Sequence, residues 1–317
     1  MLVPALLAAG VFALSPFPGA RSAPGCGGER IPYPQAALTA GPGGLWLACR
    51  RAGKLLLLDP RTGATLRRIT TRRLRPFSVA ASGGRVWAID WDRSALAGYN
   101  ARTGKQQARI TLPGQPDVLW AGRGYLWVGF ADRNRVARVD PTRRRVKLIH
   151  AGDGVSGFTT DGTFVYVISH RDNALVRINP RVGRAHTVRV GIVPSGDTAG
   201  ATEHVAYLDG SLWITGRGLD LLRVRPSTGV VQATVPIGPA GVDVVAAQGR
   251  IVALAATDVG AARGDPIVAS VQTIDPATDA VTSTVATQAT LYSGGLVAAA
   301  GHVWIADVVG GGIFAPS

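Results

Sequence analysis

Histidines and carboxylates are the residues of this chain whose types could do chemistry. A histidine beside a carboxylate is suited to general acid–base catalysis, and carboxylate oxygens are the ligands that Mg²⁺ or Ca²⁺ prefers. Glu203 and His204 are adjacent, so they could act together only where the backbone turns between them, because neighbours on a strand face opposite sides. The catalytic candidates are His204, Glu203 and His170, and the metal-ligand candidates are Asp243 and Glu203.

A wider set of acidic and aromatic residues falls at predicted loop ends and strand starts. Trp91 and Tyr292 could offer stacking surfaces to a ligand, and the acids could bind or orient it. The alternative interpretation is that the acids are solvated loop ends and strand-start hydrogen bonders. The ligand-binding candidates are Trp91, Asp92, Asp117, Asp132, Asp172, Asp243, Tyr292 and Asp307.

Other catalytic motifs are absent from the sequence. It contains no G-x-S-x-G, no H-E-x-x-H and no P-loop, and its two cysteines are too few for a zinc site. No cofactor is therefore specified with certainty, and Mg²⁺ or Ca²⁺ is the ion class that the acids would suit.

A repeat of about forty residues organises the chain, which is the length of one four-stranded propeller blade. Five repeats have a glycine followed three residues later by a tryptophan; the fourth has Val165–Tyr166 in that place and the sixth has Val252. The anchor glycines are Gly43, Gly84, Gly124, Gly162, Gly210, Gly249 and Gly301. Seven anchors predict an all-β fold, a seven-bladed β-propeller of four-stranded blades. In the third blade the predicted strands are Asp117–Ala121, Tyr125–Phe130, Arg135–Asp140 and Arg145–His150.

Aromatic residues and turns recur within the repeat. Buried inter-blade packing is the role expected of Trp46, Trp87, Trp127, Trp213 and Trp304. Turns such as Asp59-Pro-Arg-Thr-Gly63 have the residues of a type I turn, in which the first side chain caps a backbone N–H.

Ring closure is expected from the N-terminus. The last repeat reaches Ala315-Pro316-Ser317 where the others have their Asp-Pro turn, so its outermost strand is missing. The segment Gly27–Ile31 is predicted to supply that strand and so protect the sheet edge. Deleting residues 24–33 should then lower the melting temperature sharply.

Two repeats are longer than the rest, and both insertions fall at the same mouth of the predicted channel. They are 191–201, before the fifth blade, and 257–265, in the sixth. Adjacent long loops indicate either a shaped binding site or tolerated insertions.

The N-terminus resembles a secretory signal, with an apolar run, small residues and an Ala20-x-Ser22 cleavage site. The predicted domains are a signal peptide over 1–23 and a propeller over 24–317. A disordered or membrane-anchoring tail is the alternative. Cys26 and Cys49 are predicted to form a disulfide, against the alternatives of a lipidated Cys26 or two unpaired thiols. A secreted or cell-envelope location follows, and no later stretch is apolar enough to be a transmembrane span.

Positive charge is concentrated in the first part of the chain. The formal net charge is +14, made of +19 in residues 1–190 and −5 in residues 191–317. One interpretation is attraction to an anionic cell-surface polymer; the other is a solvated rim. No specific nucleic acid is expected, because the aromatic residues of single-strand binders are not interleaved with the arginines.

The pattern [G/D]-G-x-L-W-[I/V/L] followed by x-[I/V]-x-[D/N]-P-x-T-G resembles streptogramin lyase-like (virginiamycin B lyase-like) propellers and the YVTN and NHL repeat proteins. Asp209–Gly229 and Gly83–Gly104 show it best, and the resemblance covers residues 30–317. It implies a seven-bladed fold and, for the lyases, a Mg²⁺-dependent elimination with a histidine base. The Trp-Phe-Thr-Glu run of the lyases is absent, and Glu203-His204 stands where they have Glu-x-His.

Intact repeats without the catalytic pattern favour an exported binding or scaffold protein. Its partner would be a small molecule, peptide or protein at the channel mouth. The alternative is a Mg²⁺-dependent lyase or hydrolase with His204 or His170 as base and Glu203, Asp243 or Asp172 holding the metal. Adhesion to an anionic cell-surface polymer is a third hypothesis.

Overall fold

Short strands joined by tight turns make up the described part of the chain. The computed structural model describes residues 21–23, 26, 37–130, 133–169, 171–172, 174–190, 204–216, 219–238, 240–256, 267–289, 295–306 and 313–315. Within these ranges there is no helix, and so none that could cross a membrane.

Six complete blades follow β1 (Arg21–Ala23), each a meander of four consecutive antiparallel strands. Blade 1 contains β2 (Leu38–Gly41), β3 (Gly44–Cys49), β4 (Lys54–Leu58) and β5 (Thr65–Thr70). Blade 2 contains β6 (Pro76–Ser82), β7 (Arg85–Asp90), β8 (Ala95–Asn100) and β9 (Gln106–Thr111). Blade 3 contains β10 (Pro116–Gly122), β11 (Tyr125–Phe130), β12 (Arg135–Asp140) and β13 (Arg145–His150).

The second half repeats the arrangement. Blade 4 contains β14 (Val155–Thr160), β15 (Val165–Ser169), β16 (Ala174–Asn179) and β17 (Arg184–Arg189). Blade 5 contains β18 (His204–Leu208), β19 (Ser211–Gly216), β20 (Leu219–Val224) and β21 (Val231–Val235). Blade 6 contains β22 (Ala240–Ala247), β23 (Arg250–Ala256), β24 (Ile267–Asp275) and β25 (Ala280–Ala289).

The prediction of a seven-bladed propeller is wrong: the described residues form six complete blades and one smaller sheet. The remaining strands, β26 (Val297–Ala299), β27 (His302–Ala306) and β28 (Ile313–Ala315), form a smaller sheet with β1, in the order β1-β28-β27-β26. Its strands have 3 to 5 residues, and β27 and β28 share two residue pairs. The sequence between β27 and β28 contains the Gly310–Gly312 run, and glycine gives a strand no side chain to pack.

The strand that completes this small sheet is also not the predicted one. β1 is Arg21–Ala23 and pairs antiparallel with β28, whereas Gly27–Ile31 lies outside the described residues. β1 overlaps the end of the predicted leader 1–23. An N-terminal strand therefore covers the edge of β28, but it comes from earlier in the chain.

The repeat aromatics form the centre of the inter-blade packing, as predicted. Trp46, Trp87, Trp127, Trp213 and Trp304 are all fully buried. Trp304 Nε1 also donates to the carbonyl oxygen of Pro60 at 2.9 Å, which joins the small sheet to blade 1. Burial of a large aromatic contributes roughly 1.5–3 kcal/mol, so these residues hold neighbouring sheets together.

The predicted turns and the disulfide are confirmed. Asp59 Oδ1 accepts the backbone N–H groups of Arg61 and Thr62, which closes the turn of blade 1. In blade 3 the three outer strands have the predicted bounds, and β10 extends the predicted strand by one residue at each end. Cys26 and Cys49 form a disulfide, which uses the sulfur that lipidation of Cys26 would need.

Candidate functional site

One position of the repeat marks the start of each innermost strand, nine residues before the repeat's large side chain. Its members form what we term the mouth ring: Ala37, Ser78, Val118, Gly157, His204, Asp243 and Gly295. In four blades a β-bulge comes directly before this position. A bulge redirects the side chain that follows it, so polar members of the ring can reach the neighbouring sheet.

His204 and Asp243 are brought together by this geometry. Nδ1 of His204 lies 3.1 Å from Oδ1 of Asp243, and both side chains are almost fully buried. Asp243 joins three consecutive sheets, because His204 belongs to blade 5, Asp243 to blade 6, and Gly295 and Leu296 lead into the small sheet. Oδ2 of Asp243 accepts the N–H groups of Gly295 at 2.7 Å and Leu296 at 2.9 Å, and Oδ1 accepts that of Val244 at 2.7 Å.

Ser78 makes the equivalent contact elsewhere in the ring. Its Oγ accepts the N–H of Leu119 at 3.0 Å, and Leu119 occupies the same repeat position in blade 3 as Leu296 in the small sheet. A hydrogen bond from the mouth ring to the next sheet is therefore a recurring structural device. At Asp243 the same contact is made by a charged carboxylate, which also lies within hydrogen-bond distance of the His204 imidazole.

The pKa of Asp243 lies below its ordinary value of 3.8. Burial by itself would raise it, but the His204 imidazole and the N–H groups of Leu296 and Gly295 together lower it. An ionised carboxylate only accepts hydrogen bonds. Nδ1 of His204 therefore carries the proton that lies between the two side chains.

The central channel below the mouth ring encloses a cavity of about 490 Å³ lined by the innermost strands of all the sheets. Three aromatic side chains from blades 3, 4 and 5 line it. The rings of Trp120 and Phe158 stack with centroids 6.1 Å apart and planes at 6°, and Tyr207 follows in blade 5. Gly122 provides the space for the Trp120 ring, because a Cβ there would lie 1.8 Å from it.

Trp91 and Asp92 are the predicted ligand-binding residues of blade 2, and both contact Arg50 of blade 1. Arg50 Nη2 donates to Asp92 Oδ1 at 2.8 Å. The Arg50 guanidinium also lies over the rings of Trp91 and Phe77, at 5.7 Å and 5.4 Å from their centroids. These residues therefore join two blades in this structure, at a loop next to the mouth.

Asp172 and Asp117 also have local roles. Asp172 Oδ2 accepts the hydroxyl of Ser169 at 2.9 Å and the N–H of Asp153 at 2.7 Å, which closes the loop that follows β15. Asp117 is the half-buried bulge residue that precedes Val118 in the mouth ring. The Asp172 contacts both lie within blade 4.

The remaining predicted residues lie outside the described part of the chain. They are Glu203, His170, Asp132, Tyr292 and Asp307. The long loops 191–201 and 257–265 also lie outside the described residues. Among the described residues, no group of three or more His, Cys, Asp or Glu side chains is placed to hold a metal ion. The acid–base role of Glu203 and its metal role with Asp243 remain predictions.

Sequence reasoning missed the aromatic wall of the channel and the partner of His204. Trp120 could have been noticed in the sequence. Five of the 7 tryptophans occupy the repeat position three residues after the anchor glycine, and Trp120 does not. The His204–Asp243 pair could also have been noticed, because the two residues occupy the same position in successive repeats.

Comparison with known proteins shows the fold. The chain matches no protein-family model and no curated protein sequence. Among solved structures 1007 chains match, including BamB from Moraxella catarrhalis, with a TM-score of 0.58 and 14% identity over 88% of this chain and 80% of that one. The chain is thus a β-propeller repeat protein, and at this identity the likeness extends to the fold alone.

Proposed function

We propose that this chain is an exported β-propeller binding and scaffold protein whose ligand enters the channel at the mouth ring. The observation that supports this most is the channel cavity of about 490 Å³, whose lining includes Trp120, Phe158 and Tyr207. A volume of this order suits a small molecule or a peptide side-chain cluster. Aromatic rings provide large contact areas at low entropic cost, so the channel offers binding without requiring catalytic groups.

His204 and Asp243 have a structural function in this account. Asp243 accepts hydrogen bonds from His204 and three backbone N–H groups, which fills the lone pairs that a metal ion would need. Nε2 of His204, the atom that would act as a base, is buried. Both facts favour a structural role for His204 and Asp243, as a link between sheets, over a role in acid–base catalysis.

A streptogramin lyase-like activity is the second candidate. One observation favours it: a buried aspartate that accepts Nδ1–H of a histidine holds the tautomer in which Nε2 can take a proton. Catalysis would require His204 Nε2 to become accessible to substrate. Substituting His204→Gln would then abolish turnover of a cyclic depsipeptide ester while leaving its binding intact.

Export is supported by the leader pattern and by the Cys26–Cys49 disulfide, which is compatible with an extracytoplasmic compartment. The partner class we propose is a small molecule or a peptide with aromatic or apolar groups.

The test is titration of the protein with the neutral fluorescent probe N-phenyl-1-naphthylamine. We expect saturable binding, weakened about tenfold or more in Trp120→Ala, because one aromatic contact contributes on the order of 1–3 kcal/mol. Trp91→Ala is the matched control, since Trp91 stacks with Arg50 outside the channel. Absence of saturable binding, or equal weakening in both variants, would contradict binding in the channel.

A further inference from the structure

Arginines on the third strand of a blade reach the turn of the next blade. Arg138 in β12 donates through Nη1 to the carbonyl oxygen of Pro180, in the turn after β16. Arg223 in β20 donates through Nη1 to the carbonyl oxygen of Pro276 at 3.2 Å. Both arginines pair across the sheet with the large residue of their repeat, so they occupy equivalent positions.

Cations on the outermost strand make a second contact of the same kind. Arg67 in β5 donates to the carbonyl oxygen of Arg102, in the turn of blade 2. Lys147 in β13 donates through Nζ to the carbonyl oxygen of Val182 at 2.6 Å. Part of the basic charge of the first four blades therefore holds neighbouring blades together.

The junction between blades 4 and 5 has the same cationic positions without these contacts. Arg177 in β16 and His186 in β17 occupy them, and the two are directly paired across the strands. Within the described residues, neither donates a hydrogen bond to the turn of blade 5. That turn begins with Arg225, where the others begin with Asp or Asn.

A cavity of about 500 Å³ lies on blade 4 beside Arg177 and His186. It is lined by two cross-strand pairs on one face of the sheet, Arg177 with His186 and Asn179 with Arg184, and by Phe164. The Arg177 guanidinium lies over the Phe164 ring, 4.7 Å from its centroid. This stacking orients the flat guanidinium and leaves its edge for a ligand.

Asp161, the carboxylate whose turn leads into Phe164, already has hydrogen-bond partners. Asp161 accepts the hydroxyl of Tyr166 at 2.8 Å and the N–H groups of Phe164 and Thr163 at 2.6 Å and 2.7 Å. Neither Arg177 nor Arg184 forms an ion pair with a described residue. Arg177 and Arg184 are thus cationic donors that no carboxylate of the described residues neutralises by contact.

We propose that this cavity, the blade 4 pocket, binds an oxyanion group such as a phosphate or sulfate. Arg177 and Arg184 would donate charge-assisted hydrogen bonds, and the Asn179 amide and His186 ring would add further donors. The oxyanion could be a free small molecule or one unit of an anionic polymer. The proposal uses no residue of the channel and is independent of the function proposed there.

The experiment is calorimetric titration of the full chain, at low ionic strength, with inorganic phosphate, inorganic sulfate and polyphosphate. The variants are Arg177→Gln and Arg184→Gln, and Arg184 is exposed, so its substitution tests the pocket even where Arg177→Gln fails to fold. The matched control is Arg68→Gln, which removes an equal charge from the exposed outer strand of blade 1.

We expect saturable binding that each pocket variant weakens about tenfold or more and that Arg68→Gln changes by less than about twofold. Equal affinity per site for phosphate and polyphosphate would indicate that the ligand is a free oxyanion. Tighter binding of polyphosphate would indicate that the ligand is a polymer. Either result would support an oxyanion site in the pocket. Binding that is not saturable, or that Arg68→Gln weakens as much as Arg184→Gln, would overturn the proposal.

Discussion

Asp243 uses its full hydrogen-bonding capacity within the ring of sheets. A carboxylate has about four lone-pair sites, and four donors from blades 5 and 6 and the small sheet approach this one. Removing one hydrogen-bond partner of a buried charged group typically costs about 1–3 kcal/mol or more, since that group is left unsatisfied. The His204–Asp243 pair, predicted as an acid–base or metal site, is thus a polar link between three sheets.

Acid should weaken the fold through Asp243. Its pKa is lower in the folded protein than in the unfolded chain, so its contribution is fully present above the unfolded value of about 4 and is lost as the pH falls through the folded value. We expect the free energy of unfolding, measured in urea, to decrease below about pH 4. In Asp243→Asn it should be lower at pH 7 and should decrease less on acidification.

Asp140→Asn is the matched control for this measurement. Asp140 caps the turn of blade 3 through Oδ1, and Asn100 and Asn179 cap the same turns in blades 2 and 4. The substitution should therefore leave the unfolding free energy within about 0.5 kcal/mol of the parent. An acid dependence in Asp243→Asn equal to that of the parent would show that other groups control it.

Trp120 and Gly122 are coupled along the innermost strand of blade 3. Gly122→Ala would place a Cβ 1.8 Å from the Trp120 ring, so the ring must move or the strand must shift. We expect a loss of about 1–3 kcal/mol in unfolding free energy and a changed tryptophan emission spectrum.

The loss of unfolding free energy caused by Gly122→Ala should disappear when Trp120 is also replaced by alanine. Without the ring there is no clash, and Gly→Ala then stabilises by up to about 1 kcal/mol through the unfolded chain. Unfolding curves of the two single variants and the double variant measure this. Equal costs in both backgrounds would mean that Trp120 does not lie over Gly122.

At the scale of elements, much of the fold could be predicted because each repeat carries its own local signals. The glycine and the large residue three positions later place the second strand, and the Asp-Pro or Asn-Pro turn ends the third. The small sheet carries the glycine and Trp304 but no Asp-Pro or Asn-Pro turn; its strands β26 and β28 are three residues long, and β1 was assigned to a leader. Its size was therefore overestimated.

The candidate site could be predicted only in part. Local patterns place His204 and Asp243 at strand starts, but their contact depends on the relative position of two blades and on the bulge at Asp243. For the same reason the contact between Arg50 and Asp92 could not be predicted, because it crosses from one blade to the next. Contacts between repeats are visible in a sequence only once repeat positions are compared with one another.

At the scale of the whole molecule, β1 covers an edge that would otherwise be open. A chain that begins at residue 24 would leave β28 with an unpaired outer edge. We expect its melting temperature to fall by at least about 2–4 °C relative to a chain that begins at residue 19, which corresponds to a loss of about 1 kcal/mol in a domain of this size.

Chains that begin at residues 16 and 19 both retain β1 and should melt together. If the chain that begins at residue 24 melts with them, β1 does not contribute to stability. Sequencing the N-terminus of the exported protein would then show whether cleavage at the predicted Ala20-x-Ser22 site removes this strand.

The central claim is that His204 and Asp243 join the sheets around a binding channel. It is tested most directly by the free energies of unfolding of the parent, His204→Ala, Asp243→Ala and the double variant. Ser78→Ala, whose bond lies in blades 2 and 3, is the control and should be additive with His204→Ala. We predict a coupling of about 1–3 kcal/mol between His204 and Asp243. Additive costs, or single variants as stable as the parent, would contradict the structural role and favour a catalytic one.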